Sequence, residues 1–297
     1  MDSLGRYLAE EIAVDHADGL LNRREALRRL GLLGVTGVAA TTLLAACGGG
    51  ASDGEAAASS GGPPAGPPPL RVDPVTYPDP TGTMLQGAWS EPEGQPRGGV
   101  LVIHENKGLT DHIRSVAGRF AASGYAALAP DLLSREGGTA ALGDPAKVTA
   151  TLGTVAPARL VADLRSALTE LSTRVEARKL GTVGFCFGGG LVWRLVDAGE
   201  PKLSAAVPFY GPLPDKPDFS RSGAAVLGIY AEADARVNAG RDAAATALTA
   251  AGLPHDLVTY PGVDHAFFND TGPRYNAEAA ADAYQRVLNW FDRYVAG

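Results

Sequence analysis

From about residue 85 onward the chain alternates two hydrophobic rhythms. Short continuous apolar runs give way to longer stretches in which apolar residues recur every three or four positions. The runs GGVLVIHE (98–105), YAALAPDLL (125–133), LGTVGFC (180–186), LSAAVPFYG (203–211), AAVLGIYAEAD (224–234) and HDLVTYPG (255–262) predict strands. Residues 113–124, 157–175, 188–199, 239–252 and 276–295 predict helices, with Pro157 suited to a first turn and Gly124 to a stop. Strands that alternate with full-length helices predict an α/β fold: a mainly parallel twisted sheet with helices on both faces. Ligands of such sheets bind beyond the carboxyl ends of the strands. Cys186, Asp234 and His265 fall at such ends.

The first seventy residues follow neither rhythm. Arg23 and Arg24 precede a weakly apolar run, Leu30 to Ala46, interrupted by glycine and threonine. A membrane-spanning helix wants about 20 strongly apolar residues, so the run suits the core of an export signal. The arginine pair points to twin-arginine export. Asn22 and Ala26, where that signal usually has other residues, keep a general secretory route open. LAAC (44–47) resembles a lipoprotein box, with Cys47 as the lipid acceptor. Gly48 to Pro69 is Gly, Ala, Ser and Pro, too polar and flexible to fold. Three regions are therefore expected: a signal over 1–47, a disordered linker over 48–69 and a folded domain over 70–297.

Composition is that of an ordinary globular chain, with 297 residues and 45% hydrophobic content. A net charge of −7 with scattered basic residues gives no reason to expect nucleic acid as a partner. There are two cysteines, Cys47 and Cys186. A lipid on Cys47 would leave Cys186 as the only free thiol. No Cys/His cluster has metal-ligand spacing, so neither metal nor organic cofactor is expected.

The segment GFCFGGG (184–190) carries the chemistry. G-x-C-x-G at a strand-to-helix junction is the nucleophile-elbow pattern with cysteine in place of serine. A helix N-terminus and a nearby imidazole both favour a thiolate. The chain order Cys186, Asp234, His265 is that of α/β-hydrolases, with His265 as base and Asp234 as its orienting acid. Glu232 and Asp264 compete for the acid role. His104, His112 and His255 are assigned to structure. The loop after residue 104 and the residue after the nucleophile supply the other elements: backbone N–H groups of Asn106 and Phe187 for an oxyanion hole, and Glu105, a carboxylate at the end of a buried strand that is costly there unless it is partnered or turns to solvent.

Four ordered segments, HENKGLTDHIRSVAGRFAASGYAALAPDLLSREGG, GFCFGGG, YAEADARV and DHAFFND, resemble the dienelactone hydrolase family over roughly 82–294. The resemblance implies a triad of Cys186, Asp234 and His265, with Glu105 in the oxyanion loop helping to activate the thiol. It also implies two arginines that hold a substrate carboxylate. Asn269 stands where one is expected, and Arg135 and Arg159 are candidates for the other. Lys107 or Arg274 could supply a cation for Glu105 or for a substrate anion.

The expectation is an exported, lipid-anchored, monomeric hydrolase of the cell envelope that opens a small ester or lactone. The alternatives are a general carboxylesterase or thioesterase, and a non-catalytic binding lipoprotein of the same fold. A bare thiol outside the cytoplasm is open to oxidation. Cys186 is therefore expected to be shielded and protonated at rest, with Glu105 central to that control.

Overall fold

A computed structural model describes residues 3–48, 62–176 and 178–296. Three helices come first: α1 (Ser3–Ala17), α2 (Arg23–Leu32) and α3 (Gly37–Gly48). Strands β1 (Asp73–Pro78), β2 (Met84–Ser90) and β3 (Gly99–Ile103) lead to α4 (Asp111–Ala122) and β4 (Ala126–Pro130). Helices α5 (Thr139–Leu142), α6 (Pro145–Thr154) and α7 (Pro157–Arg174) precede β5 (Leu180–Phe185) and α8 (Phe187–Asp197). The chain closes with β6 (Leu203–Phe209), β7 (Ala225–Ala231), α9 (Ala235–Asn238), α10 (Arg241–Ala250), β8 (His255–Tyr260) and α11 (Ala277–Tyr294).

The eight strands form one sheet in the order β1-β2-β4-β3-β5-β6-β7-β8. The pairs β1–β2 and β2–β4 are antiparallel and the rest are parallel. Every residue of β3, β4, β5 and β7 is buried, as continuous apolar strands covered on both faces must be. On one face Phe120 of α4 packs on Tyr284 and Phe291 of α11. Helices α7 and α8 also pack together, and Arg165 of α7 pairs with Glu200 just beyond the end of α8. The chain leaves β3 for β4 on one side, then returns past it to β5 on the other. That reversal is the switch point where such sheets bind ligands.

The three leading helices have a reason to form. Leu4, Leu8 and Ile12 recur at four-residue spacing and give α1 an apolar stripe. Leu4 and Leu8 join the main core. Ile12 packs into a small second core with Ala26, Leu30, Ala40 and Leu44 of α2 and α3. Asn22 caps α2, its side chain accepting the Glu25 N–H at 2.9 Å. Among the described residues no helix is long and apolar enough to cross a membrane.

Of the expected linker, 49–61 lies outside the described residues, as does the side chain of Cys47. The chain is already seated on the domain by Pro63, whose carbonyl accepts from the Tyr275 hydroxyl at 2.6 Å. Ala65 is buried, and its carbonyl accepts from Arg119 at 3.2 Å. The packed region thus reaches several residues ahead of Leu70.

Candidate active site

Cys186 stands between β5 and α8 at φ +56°, ψ −118°, a left-handed backbone that only a tight junction imposes on a non-glycine residue. Its N–H donates to the Phe209 carbonyl at 3.1 Å, which ties the turn to the end of β6. The flanking glycines are there for room. A Cβ on Gly188 would lie 2.4 Å from the Ile103 carbonyl oxygen, and one on Gly184 would lie 2.4 Å from the Gly188 carbonyl oxygen. Cys186 is 3% exposed. Burial first, and then the Glu11 carboxylate, push its thiol above the ordinary thiol range, although His265 opposes them.

Asp234 follows β7 and His265 follows β8. His265 Nδ1 lies 2.5 Å from Asp234 Oδ2, with both side chains buried. Asp234 also caps α9, accepting the Val237 N–H at 3.3 Å. Burial alone would raise the Asp234 carboxyl, but the imidazole and its hydrogen bond outweigh that and hold it low. Burial alone would likewise lower His265. Glu11, Asp234 and Cys186 outweigh it and hold the imidazole well above its usual value. The two rival carboxylates are occupied elsewhere: Glu232 accepts the Gly262 N–H, and Asp264 accepts the His265 N–H and pairs with Arg274.

The loop that carries His265 is pinned at two further points. Asn269 Nδ2 donates to Glu105 Oε2 at 2.6 Å. Asp270 accepts from His112 at 2.8 Å and pairs with Arg119. Glu105, at the end of β3, is thus met by a neutral amide. Asn106 is buried, and its carbonyl accepts from the Thr149 hydroxyl at 2.9 Å. Phe187 opens α8 with its ring fully buried. His104 is buried between the Glu105 carbonyl and the Leu132 N–H.

The substrate-binding candidates separate. Lys107, Asn269 and Arg274 line a cavity of about 310 Å³ with Cys186 and His265. Arg135 and Arg159 do not. Arg135 pairs with Asp79 and Asp163, Arg159 pairs with Glu136, and both line a different cavity.

Three residues at the site were missed in the sequence: Tyr7, Glu11 and Arg236. The Tyr7 hydroxyl lies 3.2 Å from Cys186 Sγ and 3.3 Å from His265 Nε2. A Glu11 oxygen lies 3.5 Å from His265 Nε2, and Arg236 pairs with Glu11. Tyr210, with its ring 4.9 Å from that of His265, backs the imidazole. The apolar stripe of α1 was the available signal, and it sits inside a segment that reads as an export address. Among the described residues, Glu11, Cys186 and His265 also form a group of potential metal-binding atoms, all within 4.8 Å of one another. Arg236 already answers the Glu11 charge there.

A model of the dienelactone hydrolase family matches residues 85–295. A provisionally named carboxymethylenebutenolidase of Methylorubrum extorquens is 35% identical over 216 residues, 68% of this chain and 74% of its own. A crystal structure from Klebsiella pneumoniae, provisionally called a dienelactone hydrolase, superposes with a TM-score of 0.67 at 32% identity. It covers 76% of this chain and 100% of that one. The dienelactone hydrolase of Anabaena variabilis shares the fold, with a TM-score of 0.56 at 24% identity over 75% of this chain and 99% of its own.

Proposed function

Because the chain belongs to the dienelactone hydrolase family and is a hydrolase of α/β-hydrolase fold, we propose that it opens an ester or lactone through a Cys186–His265–Asp234 triad. The thiol proton passes to His265 Nε2 as the sulfur attacks the carbonyl carbon. Asp234 fixes the imidazole so that Nε2 faces the thiol and stabilises the charge it gains. The N–H groups of Phe187 and Asn106 hold the oxyanion. The C–O bond then breaks, and His265 returns its proton to the leaving oxygen. Water, deprotonated by the same imidazole, hydrolyses the thioester and frees the thiol.

One observation carries this reading: Asp234 Oδ2 sits 2.5 Å from His265 Nδ1 while Nε2 and the Cys186 sulfur share one hydroxyl partner. The buried thiol, held above its usual range, accords with a nucleophile that stays neutral until substrate arrives. Because Asn269 reaches Glu105 as a neutral donor, a substrate carboxylate would have to turn to Lys107 or Arg274. A panel of lactones with and without a carboxylate reads that preference.

The same proposal includes export and a lipid on Cys47, which would hold the domain at a membrane. Arg23 and Arg24 are exposed at the start of α2, as an export receptor would require. Palmitate labelling of the expressed chain, lost in Cys47→Ser, checks the anchor. For the chemistry, the full chain is assayed with an activated aryl ester. Turnover that disappears in Cys186→Ala supports the thiol mechanism, and turnover that persists refutes it.

A further inference from the structure

Helix α1 does more than lie beside the catalytic centre. The Tyr7 hydroxyl touches both atoms that must meet a substrate, Cys186 Sγ at 3.2 Å and His265 Nε2 at 3.3 Å. A carbonyl carbon under attack needs that same space, about 3–3.5 Å from the sulfur. Arg236 stacks over the Tyr7 ring at 4.3 Å, donates to the Tyr7 carbonyl at 3.1 Å and pairs with Glu11. One turn further along, Asp15 meets Arg274 at 3.1 Å, and Asp18 meets it at 2.5 Å. Tyr7, Glu11 and Asp15 are spaced by four residues each, so they share one face of α1, and Asp18 follows just beyond the helix end. That face carries the acids, and the domain answers with arginines. The adjoining apolar stripe places Leu4 and Leu8 in the domain core. Helices α2 and α3 close over the back of α1, and Arg28 of α2 reaches Asp144 at 3.3 Å.

We infer that α1 is an intramolecular inhibitor seated in the catalytic cleft, and that the hydrolase acts when this helix is withdrawn. The inference rests on the hydrolase reading above. Tyr7 fills the position of the reacting carbonyl. Glu11 places a carboxylate on Nε2, which favours the imidazolium, and an imidazolium cannot take the thiol proton. The same carboxylate disfavours the thiolate. Hydrolysis of the Ala46–Cys47 peptide bond would consume one water, leave a carboxylate on Ala46 and an amine on Cys47, and cut the covalent tie to the domain of α1, α2 and all of α3 but its last two residues. The cut that matures a lipoprotein would thereby also free its active site.

The test uses the full chain and a Tyr7→Ala/Glu11→Ala double variant, with two readouts. The first is the rate at which iodoacetamide alkylates Cys186, resolved by peptide mass so that Cys47 is counted separately. The second is turnover of an activated aryl ester. Loss of the Tyr7 hydroxyl, with its contacts to Cys186 and His265, and of the buried Glu11 carboxylate should open the cleft by about tenfold or more in both rates. A far-ultraviolet spectrum and melting curve confirm that the variant is folded, and a milder Glu11→Gln variant should show a smaller rise in both. Equal alkylation rates in wild type and variants would overturn the inference. So would turnover that falls when Tyr7 and Glu11 are removed, since α1 would then belong to the working site. Faster alkylation with no turnover in any form would uphold the cover and refute the hydrolase reading instead.

Discussion

Gly188 tests how tightly the elbow is built. A methyl group there would sit 2.4 Å from the Ile103 carbonyl oxygen and 2.6 Å from that of His104. Ordinary van der Waals separation is roughly 3.5 Å, so α8 and the end of β3 must part by about 1 Å. Both neighbours are backbone and cannot rotate aside. Overpacking of this kind costs about 1–3 kcal/mol. For a domain of this size each kcal/mol lowers the melting temperature by about 2–4 °C. The displacement also moves the Phe187 N–H relative to that of Asn106, and a 1 Å misplacement at a reacting centre can cost about a hundredfold in rate. Gly188→Ala is therefore expected to melt several degrees lower and to lose most ester turnover. Gly223→Ala is the control, since a Cβ at that exposed loop position meets nothing within 4 Å. Calorimetry and an aryl-ester assay on both variants decide the matter. A Gly188→Ala protein that melts with the control and keeps its rate would refute the close-approach argument.

Asp234→Asn should fold normally yet lose about a hundredfold or more in kcat, because the amide no longer fixes the imidazole or stabilises its charge; steady-state kinetics beside a melting curve separate the two effects. Asp270→Ala leaves the buried Arg119 without its carboxylate and unpins the loop that carries His265. A loss of about 3–5 kcal/mol is expected in urea unfolding. Burial pushes the Tyr284 phenol up to about 12, and burial with a carboxylate neighbour also raises Tyr125 and Tyr260. A raised folded pKa favours the protonated form, so this stabilisation is complete below the ordinary phenol value of about 10 and is lost as pH climbs through the folded values. Urea midpoints should therefore fall from about pH 10 upward, and a flat profile to pH 12 would contradict the burial argument.

The parallel half of the sheet was legible because β3, β5 and β7 are covered on both faces and read as unbroken apolar runs. Strands β1 and β2 were not. β1 carries Pro74 and Pro78, is half exposed and lies at the sheet edge, where proline is tolerated and the apolar signal is diluted. Helix α6 was also missed behind its threonines, although Asp144 accepts the Ala146 N–H and Pro145 occupies the first turn, both ordinary start signals. At the site, Cys186, Asp234 and His265 were picked out by the G-x-C-x-G elbow, by their order along the chain, by their places at strand ends and by the family resemblance; the structure sets Asp234 on His265 and gives His265 and Cys186 a shared hydroxyl partner. Arg135 and Arg159 illustrate what sequence spacing leaves open. An arginine's partner is set by tertiary packing, and theirs are Asp79, Asp163 and Glu136. Glu11 lies more than two hundred residues from His265 in the chain, so only the fold could show that its carboxylate meets the imidazole.

The thiol mechanism is measured most directly with the cleft opened. A Tyr7→Ala/Glu11→Ala chain, mixed with an activated aryl ester and quenched within one turnover, is digested and weighed peptide by peptide. The acyl mass should appear on the peptide containing Cys186, rise in step with the released phenol and decay with the steady-state rate. Adding Cys186→Ala should remove both the acyl mass and the turnover. Phenol release that continues at the same rate without Cys186, or an acyl group found on another residue, would contradict the account.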